Sequence, residues 1–598
     1  MQYIVLAPLM VQTSYLLMTK GWRQTDLGCV AILPSMLFRM LHSQAWITVS
    51  RLQNARGKNQ IVDRGIEFDQ VDRERNWDDQ IILSAIMMFI GLYMPNGKYM
   101  PLWRTDGAIL IALMHTGPVE FIYYWFHRAL HHHILYTRYH SHHHASIVTE
   151  PITSVIHPFA ELLAYVLLFS IPMIACYFTG TASVMTLQIY VMYVDFMNYM
   201  GHCNFELVPT WLFTWVPPLK YLMYTPSFHS LHHTKFRTNY SLFMPLYDYI
   251  YNTMDMSSDT LHKNSLKDVP EKVDVVHLTH LTSMQSIFHI RPGFAGYASK
   301  RYTFKWYLMT ISPISWLSVA LTWMYGKSFT IERSVMKKLT MQSWAIPRYS
   351  FQYGINWEKK AINDLIEKAV CEAEKKGAKV VSLGLLNQAH GVNEYGGLYL
   401  KKYPNLAVRL VDGSTLAAAV VVNSIPEGTE QVVLAGNISK VALAVASSLC
   451  NKNVKVTVTN KNNYHFLKHK LQEDAGNENI LLSKSSTAKV WVIGEGLDDA
   501  EQLRAPKGTR FIPYSQFPPR KVLKDSCTYS GTPAMTIPKA LQNVHSCENW
   551  LPRRVMSAWR VAGIVHALEG WTEHECGETV LDMEKIWSAA ILHGFQPA

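Results

Sequence analysis

Six long apolar stretches in the first 330 residues limit the folds open to this chain. They are residues 26–49, 80–93, 107–126, 158–178, 182–200 and 307–324. Several reach the roughly 20 residues that a helix needs to cross the hydrocarbon core of a bilayer. Residues 80–93 are shorter and suit an interfacial position, and Pro313 leaves residues 307–324 open as a span, a re-entrant hairpin or an amphipathic surface segment. The pattern predicts an α-helical integral membrane domain over residues 1–330.

The chain changes character after about residue 330. With 598 residues it exceeds what one hydrophobic core usually supports. Short β-rich segments there alternate with helical ones and are separated by Gly and Pro, as in an α/β domain. The strand candidates are residues 379–386, 407–412, 419–423, 431–435, 454–459 and 490–493. We therefore predict a C-terminal α/β, Rossmann-like domain over residues 331–598, with the boundary near residues 330–345.

Residues 431–459 resemble the first strand–helix–strand unit of a dinucleotide-binding fold. The glycine fingerprint G-x-G-x-x-G is incomplete, because only Gly436 remains of its three glycines. A second glycine phrase, VIGEG at residues 492–496, is equally weak. The pattern favours a scaffolding or docking domain over one that binds NADPH.

Charge and cysteine content narrow the class of protein. The net charge of +11 suits an anionic membrane surface or basic cytosolic loops. Motifs of nucleic-acid-binding proteins are absent, so we expect no nucleic-acid partner. Eight cysteines occur without a C-x-x-C pair, which argues against a disulfide scaffold or a structural zinc site. The apolar residues 1–20 lack a basic region and a cleavage site, so they are interpreted as an anchor.

Histidines are concentrated between His115 and His233, where 14 of the 26 occur. They form three boxes of the types H-x3-H, H-x2-H-H and H-x2-H-H. Residues four apart share one helix face, so each box can chelate a metal ion. Neutral imidazole suits iron, zinc, copper and nickel, and spacing alone does not choose among them. The predicted metal-binding, catalytic residues are His127, His131, His140, His143, His144, His229, His232 and His233.

The order of the apolar stretches predicts where the boxes meet. Residues 158–178 and 182–200 read as a helical hairpin, which brings the chain back to the side it left. All three boxes and His202 can therefore lie at one membrane face. Basic residues near the boxes favour a cytosolic face by the positive-inside rule, although Lys98 and Arg104 on the other side oppose it. The basic residues are Arg128, Arg138, Lys220, Lys235 and Arg237.

Other polar residues near the boxes have less certain roles. His132, His133 and His142 are left open between ligands and surface residues, and His115 is expected to be structural. Helix phase makes four side chains candidates for accepting an imidazole N–H, with a self-satisfied polar stripe as the alternative. These candidates are Glu120, Tyr124, Asp195 and Asn198.

Four segments of the chain carry a resemblance to a known family. They are residues 115–161 (HTGPVEFIYYWFHRAL onward), 201–206 (GHCNFE), 224–255 (YTPSFHSLHHTKF onward) and 544–577 (VHSCENWLPRRVMSAWRVAGIVHALEGWTEHECG). They resemble the fatty-acid hydroxylase/sterol desaturase superfamily and, more closely, the plant Eceriferum/Glossy wax-biosynthesis proteins. Nearly the whole chain is covered, and the intact boxes resemble the alkane-forming branch.

The resemblance implies an activity, a metal cofactor and protein partners. That branch acts as a very-long-chain aldehyde decarbonylase in the endoplasmic reticulum membrane and makes alkanes one carbon shorter for cuticular wax. A box-degenerate paralogue would supply the aldehyde, cytochrome b5 the electrons, and iron, as a di-iron pair, would activate oxygen; zinc is not excluded. The box histidines are the implied ligands, with His157 and His202 as additional ones. The resemblance is also compatible with a homodimer.

Two other functions remain open from the sequence. The same boxes serve sterol or fatty-acyl hydroxylases and desaturases, because fold and metal do not determine the reaction. A non-catalytic scaffold of a wax-synthesis complex is the second alternative, and the intact boxes argue against it.

Overall fold

The structure, a computed structural model, describes most of the chain. The described residues are 2–21, 24–64, 79–267, 272–281, 312–386, 391–471, 477–483, 487–519, 522, 527–542, 544, 548, 550–552 and 554–598.

The chain divides into two compact units, Met1–Pro270 and Glu271–Ala598. This division lies about 60 residues before the boundary expected from composition. The reason is strand β1 (Val275–Leu281), which pairs in parallel with two strands from after residue 338, β3 (Leu339–Tyr349) and β4 (Val380–Leu385). A seven-residue strand far from its sheet in sequence leaves little trace in composition.

The first unit is helical. Its helices are α1 (Gln2–Lys20), α2 (Leu27–Arg56), α3 (Asp79–Gly91), α4 (Thr105–Met114), α5 (Glu120–Leu130), α6 (Phe159–Thr179), α7 (Val184–Gly201), α8 (Thr210–Trp215), α9 (Leu219–Leu222), α10 (Pro226–Lys235), α11 (Leu246–Ile250) and α12 (Ser258–Ser265). A π-helical turn, His115–Val119, joins α4 to α5. The expected hairpin is present: α6 ends at Thr179, Gly180 adopts a left-handed φ of 70°, and α7 begins four residues later.

Within the part of the chain that the structure describes, two helical segments are long and apolar enough to cross a membrane. They are Thr105–Leu130, which comprises α4, the π turn and α5, and Phe159–Thr179, which is α6. The other apolar stretches form helices that fall short of this combination of length and hydropathy. For residues 307–324, the described helix begins only at Ser312, and residues 307–311 lie outside the described part of the chain. The helices suggest membrane association.

The second unit is α/β, and its described residues form three sheets. Two sheets have six strands, in the orders β13-β2-β3-β1-β4-β5 and β11-β10-β9-β6-β7-β8, and a small one has the order β14-β12-β15. The remaining strands are β2 (Phe329–Met336), β5 (Arg409–Val411), β6 (Gln431–Ala435), β7 (Lys455–Val458), β8 (Ile480–Leu482), β9 (Val490–Ile493), β10 (Arg510–Pro513), β11 (Thr528–Tyr529), β12 (Ala534–Thr536), β13 (Leu541–Gln542), β14 (Val555–Ser557) and β15 (Gln596–Pro597). All pairs in the second sheet are parallel.

The helices of the second unit connect and cover these sheets. They are α13 (Ser312–Tyr325), α14 (Lys359–Lys375), α15 (Gly397–Lys402), α16 (Ser414–Ser424), α17 (Lys440–Asn451), α18 (Lys461–Lys470), α19 (Asp499–Gln502), α20 (Ala558–Glu569) and α21 (Met583–Leu592). If β6 is counted as the first strand of the second sheet, the order across that sheet is 3-2-1-4-5-6.

Five of the six strand candidates coincide with β4, β5, β6, β7 and β9. The sixth, residues 419–423, is wrong because it lies within helix α16. Every residue from Ser414 to Val421 is buried, so no polar face marks the helical period, and the Val-Val-Val run suggested a strand instead. Packing against α17, α20 and α21 overrides the β-propensity of this run.

A buried ion pair connects α2 to α7 in the first unit. Arg39 Nε lies 2.6 Å from Asp195 Oδ2, and both side chains are about 95% buried. Arg39 also donates to Ser84 of α3, so three helices meet at this guanidinium.

We expect Asp195→Leu to lower the free energy of unfolding by about 3–5 kcal/mol, because it leaves the Arg39 charge buried and uncompensated. The double variant Arg39→Leu/Asp195→Leu should recover most of that loss, since it removes both charges. Thermal unfolding of the full-length protein in detergent measures both effects. A double variant no more stable than the single one would contradict this account.

Candidate metal centre

The structure gathers nine of the ten predicted ligands into two adjacent clusters. In each cluster, one nitrogen from every histidine lies within 4.8 Å of the others. The five-histidine cluster consists of His127, His131, His140, His144 and His232. The four-histidine cluster consists of His143, His202, His229 and His233. All are buried except His131, which is partly exposed.

Each H-x2-H-H box contributes to both clusters. The outer pair of the second box, His140 and His144, enters the five-histidine cluster, and the middle His143 enters the other. The third box is reversed, because its outer pair, His229 and His233, enters the four-histidine cluster. The four-residue spacing thus groups the outer histidines as expected, and the middle histidine couples the clusters.

The local backbone of the boxes differs from a uniform helix. The third box lies on α10, and the first spans the end of α5, where His131 is the C-terminal cap. The second box, however, runs from a π-helical turn ending at His140 into a 3₁₀ turn, His143–Ala145. The expectation of an α-helical second box is therefore wrong, although its outer histidines still converge.

Five of the clustered imidazoles have a fixed tautomer, because Nδ1 faces an oxygen that accepts hydrogen bonds. Each donates its Nδ1–H over 2.7–3.1 Å, which leaves a lone pair on Nε2. The donor and acceptor pairs are His127 to the Tyr240 carbonyl, His140 to the Glu161 carboxylate, His202 to the Asn198 carbonyl, His232 to the Thr238 carbonyl and His233 to the Ser146 carbonyl.

These lone pairs face one another. Nε2 of His127 lies 3.0 Å from Nε2 of His140, and both atoms carry a lone pair. Nε2 of His144 lies 3.1 Å from those of His140 and His232. Two lone pairs at this distance repel unless a cation lies between them. Two nitrogens bound at right angles to one ion, each at about 2.1 Å, would lie about 3.0 Å apart, so these residues fit a transition-metal ion.

Burial also keeps the imidazoles neutral. Desolvation lowers the pKa of His202 and of His232 to about 3. It likewise lowers the pKa values of His143, His144 and His233 well below the usual range. The rings are therefore unprotonated at neutral pH, the form in which imidazole binds metals.

Glu161 at the start of α6 supports the five-histidine cluster and was not among the predicted residues. Its Oε1 accepts the Nδ1–H of His140 at 2.7 Å and the hydroxyl of Tyr165 at 2.9 Å. A carboxylate in this position orients the imidazole and raises its basicity. A usable signal was present in the sequence, because Glu161 follows His157 by one helical turn.

The four side chains suggested for this supporting role have other partners within the protein, which favours the alternative of polar groups that satisfy one another. Glu120 accepts the backbone N–H of Phe243, and Tyr124 bonds Thr253. Asp195 pairs with Arg39. Asn198 serves His202 through its backbone carbonyl instead of its side chain.

His157, the tenth predicted ligand, lies beside the clusters. Its Nε2 donates to the Ser154 carbonyl at 3.1 Å, and its Nδ1 lies 3.3 Å from Glu161. The ring stacks on His143, with the centroids 4.6 Å apart. Both nitrogens therefore point away from the converging atoms. His115 bonds Tyr190 and is structural, as expected.

An elongated, mostly apolar cavity runs between α3, α6 and α7 and reaches the four-histidine cluster. Its lining includes His143, His202 and His229 at one end and His157 beside them. Along α6 it extends from Leu162 to Met173, about 16 Å at 1.5 Å per residue. The other apolar lining residues include Met87, Met88, Val166, Phe169, Val191 and Val194. Such a shape suits an aliphatic chain whose reactive end lies at the histidines.

In the second unit, the turn between β6 and α17 is closed by the protein's own groups. Asn437 N–H donates to the Glu495 carbonyl at 2.7 Å, and Tyr514 hydroxyl donates to the Asn437 carbonyl at 2.8 Å. A Cβ on Gly436 would lie 2.8 Å from the Gly494 carbonyl oxygen. In a doubly wound sheet this turn is where a pyrophosphate approaches the backbone. Like the incomplete glycine fingerprint, these contacts favour a scaffolding or docking domain over one that binds NADPH.

Two family models match the chain. Residues 108–253, which contain all three boxes, match the model described as fatty acid hydroxylase. Residues 432–597 match the model described as CER1-like, C-terminal domain. No solved structure shows significant similarity to the chain.

Curated relatives match over the entire length. The rice (Oryza sativa subsp. indica) protein named very-long-chain aldehyde decarbonylase GL1-5 is 73% identical, over 100% of this chain and 96% of its own length. The Arabidopsis thaliana protein named very-long-chain aldehyde decarbonylase CER1 is 54% identical, over the same shares of the two chains. In this chain, a fatty acid hydroxylase domain precedes a CER1-like C-terminal domain. The chain therefore belongs to the same CER1-like family as these two relatives.

Proposed function

We propose that this protein is a very-long-chain aldehyde decarbonylase that forms an alkane one carbon shorter, for cuticular wax. The observation that carries the proposal is the apolar cavity that reaches the four-histidine cluster. It gives a long aliphatic substrate a position with its head group at a metal-binding site. The rice and Arabidopsis relatives, which are named for this activity, supply the reaction class.

The eight box histidines and His202 are the proposed metal ligands, and two iron ions are the proposed cofactor. Bound iron would supply the redox chemistry with oxygen that carbon–carbon cleavage requires. Five nitrogens in one cluster exceed the four of a typical tetrahedral zinc site. The 3.0–3.1 Å nitrogen separations are also shorter than the about 3.4 Å of tetrahedral ligands at the same bond length. For the five-histidine cluster, both observations favour iron over zinc.

The chain's own residues would bind the metal ions, orient the imidazole ligands and shield the substrate's head group from water. Glu161 and backbone carbonyls accept the Nδ1–H of five of the nine proposed ligands, so the Nε2 atoms of these five are presented to the ion without reorganisation. The apolar cavity keeps water from the aldehyde head group. His157 lines that cavity beside His143, and we assign it a supporting role instead of ligation.

The family and the sequence pattern support a proposed cellular setting. We place the protein in the endoplasmic reticulum membrane with several spans and the metal centre at the cytosolic face. Cytochrome b5 is the proposed electron donor, and a box-degenerate paralogue is the proposed source of aldehyde. Self-association as a homodimer is part of the same proposal. Two helices of sufficient length and apolarity support the membrane setting.

The C-terminal domain is proposed to be Rossmann-like in fold but to serve as a scaffold. The strand order 3-2-1-4-5-6 supports the fold, because it is the order of dinucleotide-binding sheets. The closed turn at Gly436 supports the scaffolding role. We propose that the two domains correspond to the two compact units, so that the second domain begins before β1.

We expect the purified protein to hold two metal ions per chain, one per cluster. His229→Ala should reduce this toward one, because it removes a buried ligand of the four-histidine cluster only. Elemental analysis of iron and zinc in the purified protein measures the change. The matched control is His133→Ala, an exposed histidine outside both clusters, which should retain both ions. Equal metal contents in the two variants would contradict the ligand assignment.

The proposed reaction is tested by gas chromatography of lipids from yeast supplied with very-long-chain acyl-CoA. Cells that express this chain with its paralogue should make odd-chain alkanes, and His229→Ala should abolish them while His133→Ala does not. Hydroxylated or desaturated products in place of alkanes would overturn the proposal in favour of the sister chemistry. Alkanes that persist in the His229→Ala strain would favour a scaffold.

We expect Met173→Trp to shift the alkanes toward shorter chains, because the larger side chain shortens the distal end of the cavity. The matched control is Ile174→Trp, which adds the same bulk at the neighbouring position of α6, where the side chain is 38% exposed. The same chromatographic profile measures both variants. An unchanged distribution of alkane lengths for Met173→Trp would show that the aliphatic chain of the substrate does not occupy this cavity.

A further inference from the structure

Helix α13 of the second unit presents an apolar face to its surroundings. Its exposed side chains include Trp316 (55%), Leu317 (57%), Leu321 (56%) and Met324 (72%). The helix sequence, SPISWLSVALTWMY, contains no charged residue. A surface helix of a water-soluble domain usually turns polar residues outward, and clustered exposed apolar residues mark an interaction surface. This face therefore requires an apolar partner.

The exposed residues form one stripe, and the opposite side fixes the helix in place. Leu317, Leu321 and Met324 are spaced by four and three residues, which aligns them on one face. On the other side, Thr322 is buried and the helix packs against β3. Trp323 Nε1 donates to Glu358 at 2.9 Å. The outward direction of the stripe is thus set by the fold of the unit.

The described residues of helix α13 span less than the thickness of a bilayer. Fourteen residues span about 21 Å, whereas the hydrocarbon core is about 30 Å thick. The chain also turns at Gly326, with a φ of 61°, and enters strand β2 three residues later. For residues 312–324, which the structure describes, this geometry fits a helix that lies along a surface.

Neighbouring residues give this surface the chemistry of a membrane interface. Phe351 (48% exposed) lies 6.5 Å from Trp316 between ring centroids, and Trp357 (71% exposed) follows it closely in the chain. Tryptophan is enriched at the headgroup level of membranes, where its amphipathic ring is favoured. Exposed Lys327 and Lys360 border these residues in sequence. Cationic flanks complement anionic lipid headgroups.

We propose that this aromatic patch, consisting of Trp316, Leu317, Leu321, Met324, Phe351 and Trp357, inserts into the interface of a bilayer containing anionic lipid. A lipid surface is favoured over a protein partner because the first unit of the same chain carries the candidate membrane helices. That tether raises the effective concentration of the second unit at the bilayer, so shallow insertion of one short helix suffices. The proposal is independent of the reaction assigned above.

The test uses the full-length protein in vesicles of phosphatidylcholine and phosphatidylserine, with a nitroxide spin label at Leu317→Cys. Accessibility to oxygen, which concentrates in lipid, is compared with accessibility to a water-soluble nickel chelate. The matched control is Glu427→Cys, a label at an exposed loop position of the same unit. The unsubstituted protein gives the background from native cysteines. A second label, at Met324→Cys, guards against a local disturbance at position 317.

We expect the ratio of oxygen to nickel accessibility to be several-fold higher at positions 317 and 324 than at position 427. The ratio should fall when phosphatidylserine is omitted, because the flanking lysines then have no anionic headgroups to attract them. Labels at 317 and 324 that are as open to nickel as the control would overturn the proposal. Labels shielded from both reagents would also overturn it, because a protein surface would then cover the patch.

Discussion

The convergence of imidazole lone pairs is the constraint on which the first unit depends. His127, His140 and His232 each give their Nδ1–H to an oxygen, so their Nε2 atoms meet as acceptors only. In a buried site, such an arrangement is unfavourable without a cation, and desolvation keeps the rings from protonating to supply one. The surrounding fold must therefore hold the rings together for a metal ion, which restores the missing positive charge.

Helices from widely separated parts of the sequence bring these imidazole rings together. Helix α10 brings the third box, α5 the first, and the α6–α7 hairpin returns His202 to the same place. The acceptors are distributed in the same way, because Glu161 begins α6 and Tyr240 follows α10. Each H-x2-H-H box serves both clusters, so displacement of one element would disturb both sets of ligands. The buried Arg39–Asp195 pair between α2 and α7 restrains the hairpin further.

Much of this was predictable because the relevant signals are local. Box spacing identified eight of the nine converging histidines, and two apolar runs around Gly180 identified the hairpin that returns His202 to them. The division of each box between clusters was not predictable, since it depends on the π and 3₁₀ turns around His140 and His143. Long-range pairing explains the other failures: Arg39 captures Asp195, β1 joins a sheet formed mostly by later strands, and residues 419–423 become a buried helix.

The two clusters are chemically unequal, and this asymmetry bears on catalysis. The five-histidine cluster has more nitrogen donors and is braced by Glu161 and Tyr165. The four-histidine cluster has fewer donors, and among the described residues it is the one that lines the apolar cavity. A catalytic metal needs an open position, whereas a fully ligated one does not admit substrate. The geometry therefore favours the four-histidine cluster as the one at which the head group of the proposed aldehyde substrate would bind.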